Sequence, residues 1–347
     1  MSVRDWAPRA LALSAVLLAM AVALADWRSA PPPTVLIGEF ELTDDRVADG
    51  GNVVVFVLDS PVDRRFLEGG ALQMKAGDVT HGSLVARVIR SYCQALLVSL
   101  PVEDASGAAD HGAYLDGLRR VIAYACSHPS VRVLVNVSRG SYERDPQEQD
   151  LVRQLVRAGV LVVAAAGNDD ADDPMYPAAY PGVVAVASAE QDGKALSSNY
   201  GRHIGISASG DITFIDYAFL PYEQLRREME ARGTSFAAPR VTATLAYILQ
   251  RKPGTSPPEA FEIAARTASP VQDGFFKKGE LGAGLLNIYR AKSAVHPPYK
   301  WLQYALPVAL GLALAALSAF LCVRYALVGL FVSLLVWVVG VPCGLLV

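Results

Sequence analysis

The sequence is poor in charge. Asp, Glu, Lys and Arg make up 19% of its 347 residues, and 31 basic against 34 acidic residues leave a net charge of −3. No basic run breaks that balance, which argues against a nucleic-acid partner. Histidine is scarce, with 5 in the chain. His111, His128, His203 and His296 lack metal-ligand spacing and read as structural or exposed, so no metal site is expected from them. Internal repeats and low-complexity tracts are absent. With 52% hydrophobic residues, a largely disordered chain is excluded. Cysteine is limited to Cys93 and Cys126 in the middle and Cys322 and Cys343 near the end. The first two lie at points that a parallel sheet brings to one end, so in an exported chain a disulfide and two separate buried thiols are both open.

The apolar excess sits at the two ends. Residues 10–25 form an apolar run after Arg4 and Arg9 and end in Ala23-Leu24-Ala25. A cleaved signal peptide and an N-terminal anchor both fit, and either implies export. Pro31 to Pro33 then make a stiff spacer, so residues 1–33 are set apart from the domain. Residues 301–347 carry one charge, Arg324. The stretches on its two sides, 301–323 and 325–347, are each long enough to span a bilayer with some tilt. They are expected to form a transmembrane helical hairpin in contact with lipid. Positive-inside logic places Arg324 in the cytoplasm and residues 34–295 on the extracytoplasmic side of a multi-pass cell-membrane protein. Lys300 on the outer flank opposes this weakly.

The middle alternates two patterns. Apolar runs of strand length fall at 53–58, 95–100, 131–137, 160–165 and 183–187, and helix-like stretches at 81–90, 113–125 and 147–157. Continuous apolar strands between amphipathic helices indicate an α/β fold with a mainly parallel sheet covered on both faces. In such sheets ligands bind beyond the carboxyl ends of the strands. Asp59 ends the first run, His81 opens the next helix in HGSLVARVI, Asn168 follows the fourth run in VVAAAGN, and Ser235 stands in GTSFAAP before a helix over 236–250. Each alone is weak, since Asp after a strand is a common turn former and Ser before a helix a common cap.

Taken together and in this order, these motifs resemble the subtilisin-like serine proteases, the subtilase or peptidase S8 family. YPAAYPGVVAVAS, the SSNYG turn and GAGLLNIYRA extend the resemblance over residues 53–294. It implies a three-layer subtilisin-like fold and a serine endopeptidase needing no cofactor. Ser235 would be the nucleophile, His81 the general base and Asp59 the carboxylate that orients it. Asn168 and the Ser235 N–H would hold the oxyanion. A polypeptide substrate, membrane-proximal in view of the hairpin, would lie as an extended strand along Ser138, Arg139 and Gly140. Ala165, Ala166 and Gly167 would form a wall of the specificity pocket. A silent, protease-like scaffold that binds a peptide or membrane partner is the alternative. An α/β-hydrolase-type esterase is excluded by the Asp, His, Ser order and the missing nucleophile-elbow motif.

Several positions depart from the family pattern. Pro61 replaces a Gly, Leu84 a second His, Arg139 an apolar residue and Ser209 a Pro, none of them in the triad. Only residues 34–52 separate the spacer from the first strand, too few for a folded prodomain. The segment 214–232, with EQLRREMEAR, is expected to be a solvated surface helix or a latch over the cleft. Pro239 is expected in the first helical turn, where proline is tolerated. Asp169, Asp170, Asp172 and Asp173 allow three readings: a solvated loop, a Ca²⁺ site, or recognition of a basic substrate side chain.

Overall fold

The computed structural model describes residues 35–37, 52–63, 80–103, 108–220, 223–271 and 279–295. The chain divides into two compact units, Met1–Val295 and His296–Val347. All described residues lie in the first. The N-terminal run over 1–33 and the expected hairpin over 301–347 lie outside them. Among the described residues no helix is long and apolar enough to cross a membrane.

The elements run β1 (Val35–Ile37), β2 (Val53–Asp59), α1 (His81–Tyr92), β3 (Leu96–Pro101), α2 (His111–Ser127), β4 (Arg132–Val137), α3 (Pro146–Arg157), β5 (Leu161–Ala165), β6 (Val183–Glu190), β7 (Gly193–Lys194) and β8 (Ile204–Ala208). There follow β9 (Ile212–Leu220), β10 (Glu223–Ala231), α4 (Thr234–Arg251), α5 (Pro257–Thr267) and α6 (Ile288–Val295). The main sheet has the order β1-β3-β2-β4-β5-β6, with β8 parallel and β7 antiparallel to β6. Every pairing from β1 to β6 is parallel.

Strand alternation divides the core into two layers. Val53, Val55 and Val57 face one side, where they pack with residues of α1, α4, α5 and α6. Val54, Phe56 and Leu58 face the other, against α2 and α3. The apolar runs are continuous because both faces are covered. Local signals set the helix starts. Thr80 caps α1, accepting from the Ser83 N–H at 3.2 Å. Asp110 and Asp145 cap α2 and α3 in the same way, and Ser256 with Glu259 forms a capping box at α5.

The chain places β3 on one side of β2 and β4 on the other. The order therefore reverses between β2 and β4, and the crevice beyond their carboxyl ends is the expected ligand position.

One expected helix is absent. The segment 214–232 is not a helix: β9 and β10 pair antiparallel from Ile212↔Ala231 to Leu220↔Glu223. Its charge spacing looks helical, but the preceding TFIDYAF has strand alternation and supplies a pairing partner, which decides the matter. Of the two readings left open for Cys93 and Cys126, the structure shows separate thiols and no disulfide. Cys93 is buried, Cys126 is exposed, and both are free.

Candidate functional site

The site begins at Asp59, the last residue of β2. Its carboxylate is buried and Oδ1 meets three donors: the Ser60 N–H at 2.8 Å, the Ser60 hydroxyl at 3.3 Å and His81 Nδ1 at 2.8 Å. The Gly82 N–H donates to Ser60 Oγ at 2.8 Å, fixing the start of α1 against the end of β2. This approach requires glycine, since a Cβ on Gly82 would lie 2.2 Å from the Ser60 carbonyl oxygen. Pro61 joins the same clamp, because its carbonyl accepts from the Thr80 hydroxyl. Leu84 is buried one turn along α1, in the core.

His81 is 36% exposed. Burial opposes its charged form, but the hydrogen bond and charge of Asp59, with Glu103 beyond, outweigh it and raise the pKa above the usual histidine value. With Nδ1 facing the carboxylate, Nε2 is the nitrogen left to act as base. The ring lies 5.2 Å from that of Phe236, centroid to centroid, which sets it beside the first turn of α4.

Ser235 is the second residue of α4, where unpaired N–H groups and the helix field favour negative charge. Pro239 sits at the sixth residue, deeper than the first turn expected for it. A proline there lacks the N–H that would bond the Ser235 carbonyl. The Ser138 hydroxyl takes that role, donating to the Ser235 carbonyl at 3.0 Å. In return the Ser235 hydroxyl lies 3.4 Å from the Ser138 carbonyl oxygen, a weak bond. Behind Ser138, Asn136 Nδ2 donates to its Oγ at 3.0 Å, and Asn136 Oδ1 accepts from the Thr242 hydroxyl at 2.9 Å.

Asn168 is held from the opposite side. Its Oδ1 accepts from the Thr234 N–H at 2.9 Å and the Thr234 hydroxyl at 3.0 Å. These bonds commit the oxygen and leave Nδ2 without a partner among the described residues. The Ser235 N–H, next along the chain from Thr234, also has none. Two donors thus stand close together at the helix start. Gly167 and Gly233 both have positive φ, 113° and 141°, and a Cβ on Gly233 would press on the Asn168 amide at 3.2 Å. The buried Asn199 shapes the loop that follows. Its Oδ1 accepts from the Asp169 N–H at 2.9 Å and the Ala171 N–H at 3.2 Å, and its Nδ2 donates to the Ala166 carbonyl at 3.1 Å.

The remaining expected residues divide. Ser138 bonds the nucleophile directly, and Gly167 bonds its neighbour Thr234. The methyl groups of Ala165 and Ala166 pack into the two cores instead, so only backbone is left to face a ligand there. Gly140 lies against Met175. Arg139 stacks its guanidinium over the Tyr114 ring, 4.9 Å from the centroid. The Ser209 carbonyl accepts from Arg240. In the acidic loop, Asp170 pairs with Lys194 at 2.7 Å and Asp169 accepts from the Tyr142 hydroxyl at 2.7 Å. Among the described residues no cluster of three His, Cys, Asp or Glu is arranged to hold a metal ion.

The sequence motifs give no role to Asn136 or Thr242, and they mark Asn199 and Thr234 only as parts of SSNYG and GTSFAAP. For Asn136, Thr234 and Thr242 a signal exists: a polar residue inside an apolar strand or on a buried helix face must find a partner.

The subtilase family model matches residues 96–289, more than half of the chain. The chain belongs to the subtilase family. The match starts after Asp59 and His81, so those two rest on their motifs and geometry. This subtilase is 32% identical over 219 residues to a subtilisin-like protease of Coccidioides posadasii, covering 58% of this chain and 52% of that protein. It is 26% identical over 200 residues to subtilisin DY of Bacillus licheniformis, covering 56% and 67%. The chain spans about half the length of the fungal relatives it matches. Among solved structures, a lanthipeptide protease aligns with a TM-score of 0.57 at 19% identity, over 72% of this chain and 91% of that one. The prenylagaramide maturation protease PagA aligns at 0.54 and 24% identity, over 71% and 94%. At these identities the two structures establish the shared fold.

Proposed function

We propose that this subtilase is a serine endopeptidase in which Ser235 attacks the peptide carbonyl, His81 is the base, Asp59 orients His81, and Asn168 with the Ser235 N–H holds the oxyanion. The observation that carries this reading is the 2.8 Å bond between Asp59 Oδ1 and His81 Nδ1 beside the start of the helix that bears Ser235. The Ser235 hydroxyl turns from its weak bond at Ser138 to His81 Nε2. As Oγ bonds to the carbonyl carbon, its proton passes to Nε2. The carbonyl oxygen takes the negative charge and is met by Asn168 Nδ2 and the Ser235 N–H. When the tetrahedral intermediate collapses, the C–N bond breaks and Nε2 gives its proton to the leaving amine. Water then repeats the sequence on the acyl-enzyme, with His81 again taking the proton. Asp59 stays ionised throughout and stabilises the imidazolium. No step calls for a cofactor or a metal ion.

The same proposal places the enzyme at a membrane. One charge in residues 301–347 supports a transmembrane hairpin there, with residues 34–295 outside the cytoplasm and a membrane-proximal polypeptide as substrate. Digestion of residues 34–295 by protease added to intact cells supports that side; protection until lysis contradicts it.

Incubation of the full chain in detergent with a mixed peptide pool, beside Ser235→Ala, tests the chemistry. Cleavage by the parent and its loss in the variant is the expected result. Equal cleavage by both assigns the activity elsewhere.

A further inference from the structure

We infer that Met175 closes the floor of the side-chain slot beside Ser235 and restricts the enzyme to substrates with a small residue, Gly, Ala or Ser, at the carbonyl that is attacked (P1). The inference rests on the proposed peptidase reading and adds a substrate class to it.

The slot arises from the way two neighbouring strands part. Strands β4 and β5 pair from Leu134↔Leu161 to Val137↔Ala164. Beyond that point the second strand stays with β6, through Ala165↔Val186, and Gly167 joins Thr234 through its N–H at 3.2 Å. The first strand turns the other way: Ser138 bonds Ser235, and Ser141 moves to a new partner, Tyr176. Residues 138–140 and 165–167 therefore flank an opening next to the nucleophile. An acyl group on Ser235 Oγ with its oxyanion at Asn168 has its Cα beside residues 138–140, because Ser235 Oγ is 3.4 Å from the Ser138 carbonyl oxygen. Its side chain then enters the opening.

Met175 occupies that opening. Two backbone hydrogen bonds between Ser141 and Tyr176, both 2.8 Å, hold residues 175–176 across it. The thioether reaches both walls. A Cβ on Gly140 would lie 2.6 Å from Met175 Cγ and Sδ, and a Cβ on Gly167 would lie 3.0 Å from Met175 Cε. The two wall glycines admit the methionine, and the methionine takes the depth a large P1 side chain needs. Nor is there a free carboxylate for a basic one on the flanking loop residue Asp169, which is engaged by Tyr142. Methionine is adaptable, so exclusion is graded.

The test uses the full chain in detergent and peptide p-nitroanilides identical except for P1: Gly, Ala, Ser, Leu, Phe or Lys. The parent is expected to favour Ala over Phe in kcat/KM by about tenfold or more. Met175→Gly raises the Phe to Ala ratio in kcat/KM by about tenfold or more. Met175→Leu, which keeps the volume and the fold, retains the small-residue preference. Parent preference for Leu, Phe or Lys overturns this inference while leaving the peptidase reading intact. An unchanged Phe to Ala ratio in a folded Met175→Gly, or in Met175→Ala where the glycine variant melts early, does the same. Failure of the parent to cleave any of the six substrates or the mixed peptide pool overturns both.

Discussion

The pairing of Pro239 with Ser138 yields a quantitative prediction. Proline at the sixth position of α4 removes the N–H that would satisfy the Ser235 carbonyl, and the Ser138 hydroxyl replaces it at 3.0 Å. Ser138→Ala deletes that donor and also the acceptor of the buried Asn136 amide. An unpaired buried amide costs about 2 kcal/mol and the half-buried carbonyl about 1 kcal/mol. The total of about 3 kcal/mol corresponds to a fall in Tm of about 6–12 °C for a domain of this size. In a Pro239→Ala background the restored N–H can bond the Ser235 carbonyl along the helix, so Ser138→Ala should cost about 1 kcal/mol less. Denaturant melts of the four proteins, followed by circular dichroism, measure the cycle. Equal cost of Ser138→Ala in both backgrounds would refute the claim that the serine substitutes for the missing helix donor.

Other expectations follow from the same structure. Because the His81 pKa is raised, the acid limb of kcat/KM should lie above the ordinary histidine value of about 6.5. Asp59→Asn should move that limb down and lower kcat by about 10⁴; a limb that does not move refutes the coupling. The stability from this pair is full below about pH 6.5 and is lost as pH rises through the folded His81 pKa. Glu148 behaves oppositely to an ordinary surface acid. Burial pushes its carboxyl up, so the folded state holds a proton the unfolded state releases, and stability declines as pH rises through that interval. Glu148→Gln should flatten this decline in Tm against pH, and a parallel curve would contradict the burial argument. Burial raises the Cys93 thiol to about 11, so maleimide should label Cys126 in the native protein and reach Cys93 only after denaturation. Peptide mapping checks this; native labelling of Cys93 contradicts it.

The legible and illegible parts of this chain separate by physics. Buried parallel strands are marked by unbroken apolar runs such as VVVFVL, and their helices by amphipathic stretches such as 113–125, so the sheet and its crevice could be read directly. Asp59, His81, Asn168 and Ser235 each fall where a strand ends or a helix begins, which alone is weak, and it is the order of their motifs, through the family resemblance, that singles them out. The hairpin of β9 and β10 did not stand out, since a charged stretch like EQLRREMEAR takes its conformation from the strand that pairs with it. The support beneath the site was hidden for a similar reason. Thr242 and Asn136 are 106 residues apart, and only the folded backbone shows that one satisfies the other. Met175 belongs to the same class: its contact with Gly140 and Gly167 depends on how two strands diverge, which no local pattern encodes.

The most direct test of the account is to locate a fluorophosphonate adduct on the full-length protein by mass spectrometry. The account predicts a single phosphonylated residue, Ser235, absent after Asp59→Asn or His81→Ala at short reaction times. An adduct on another serine, or no adduct on a folded protein, would contradict it.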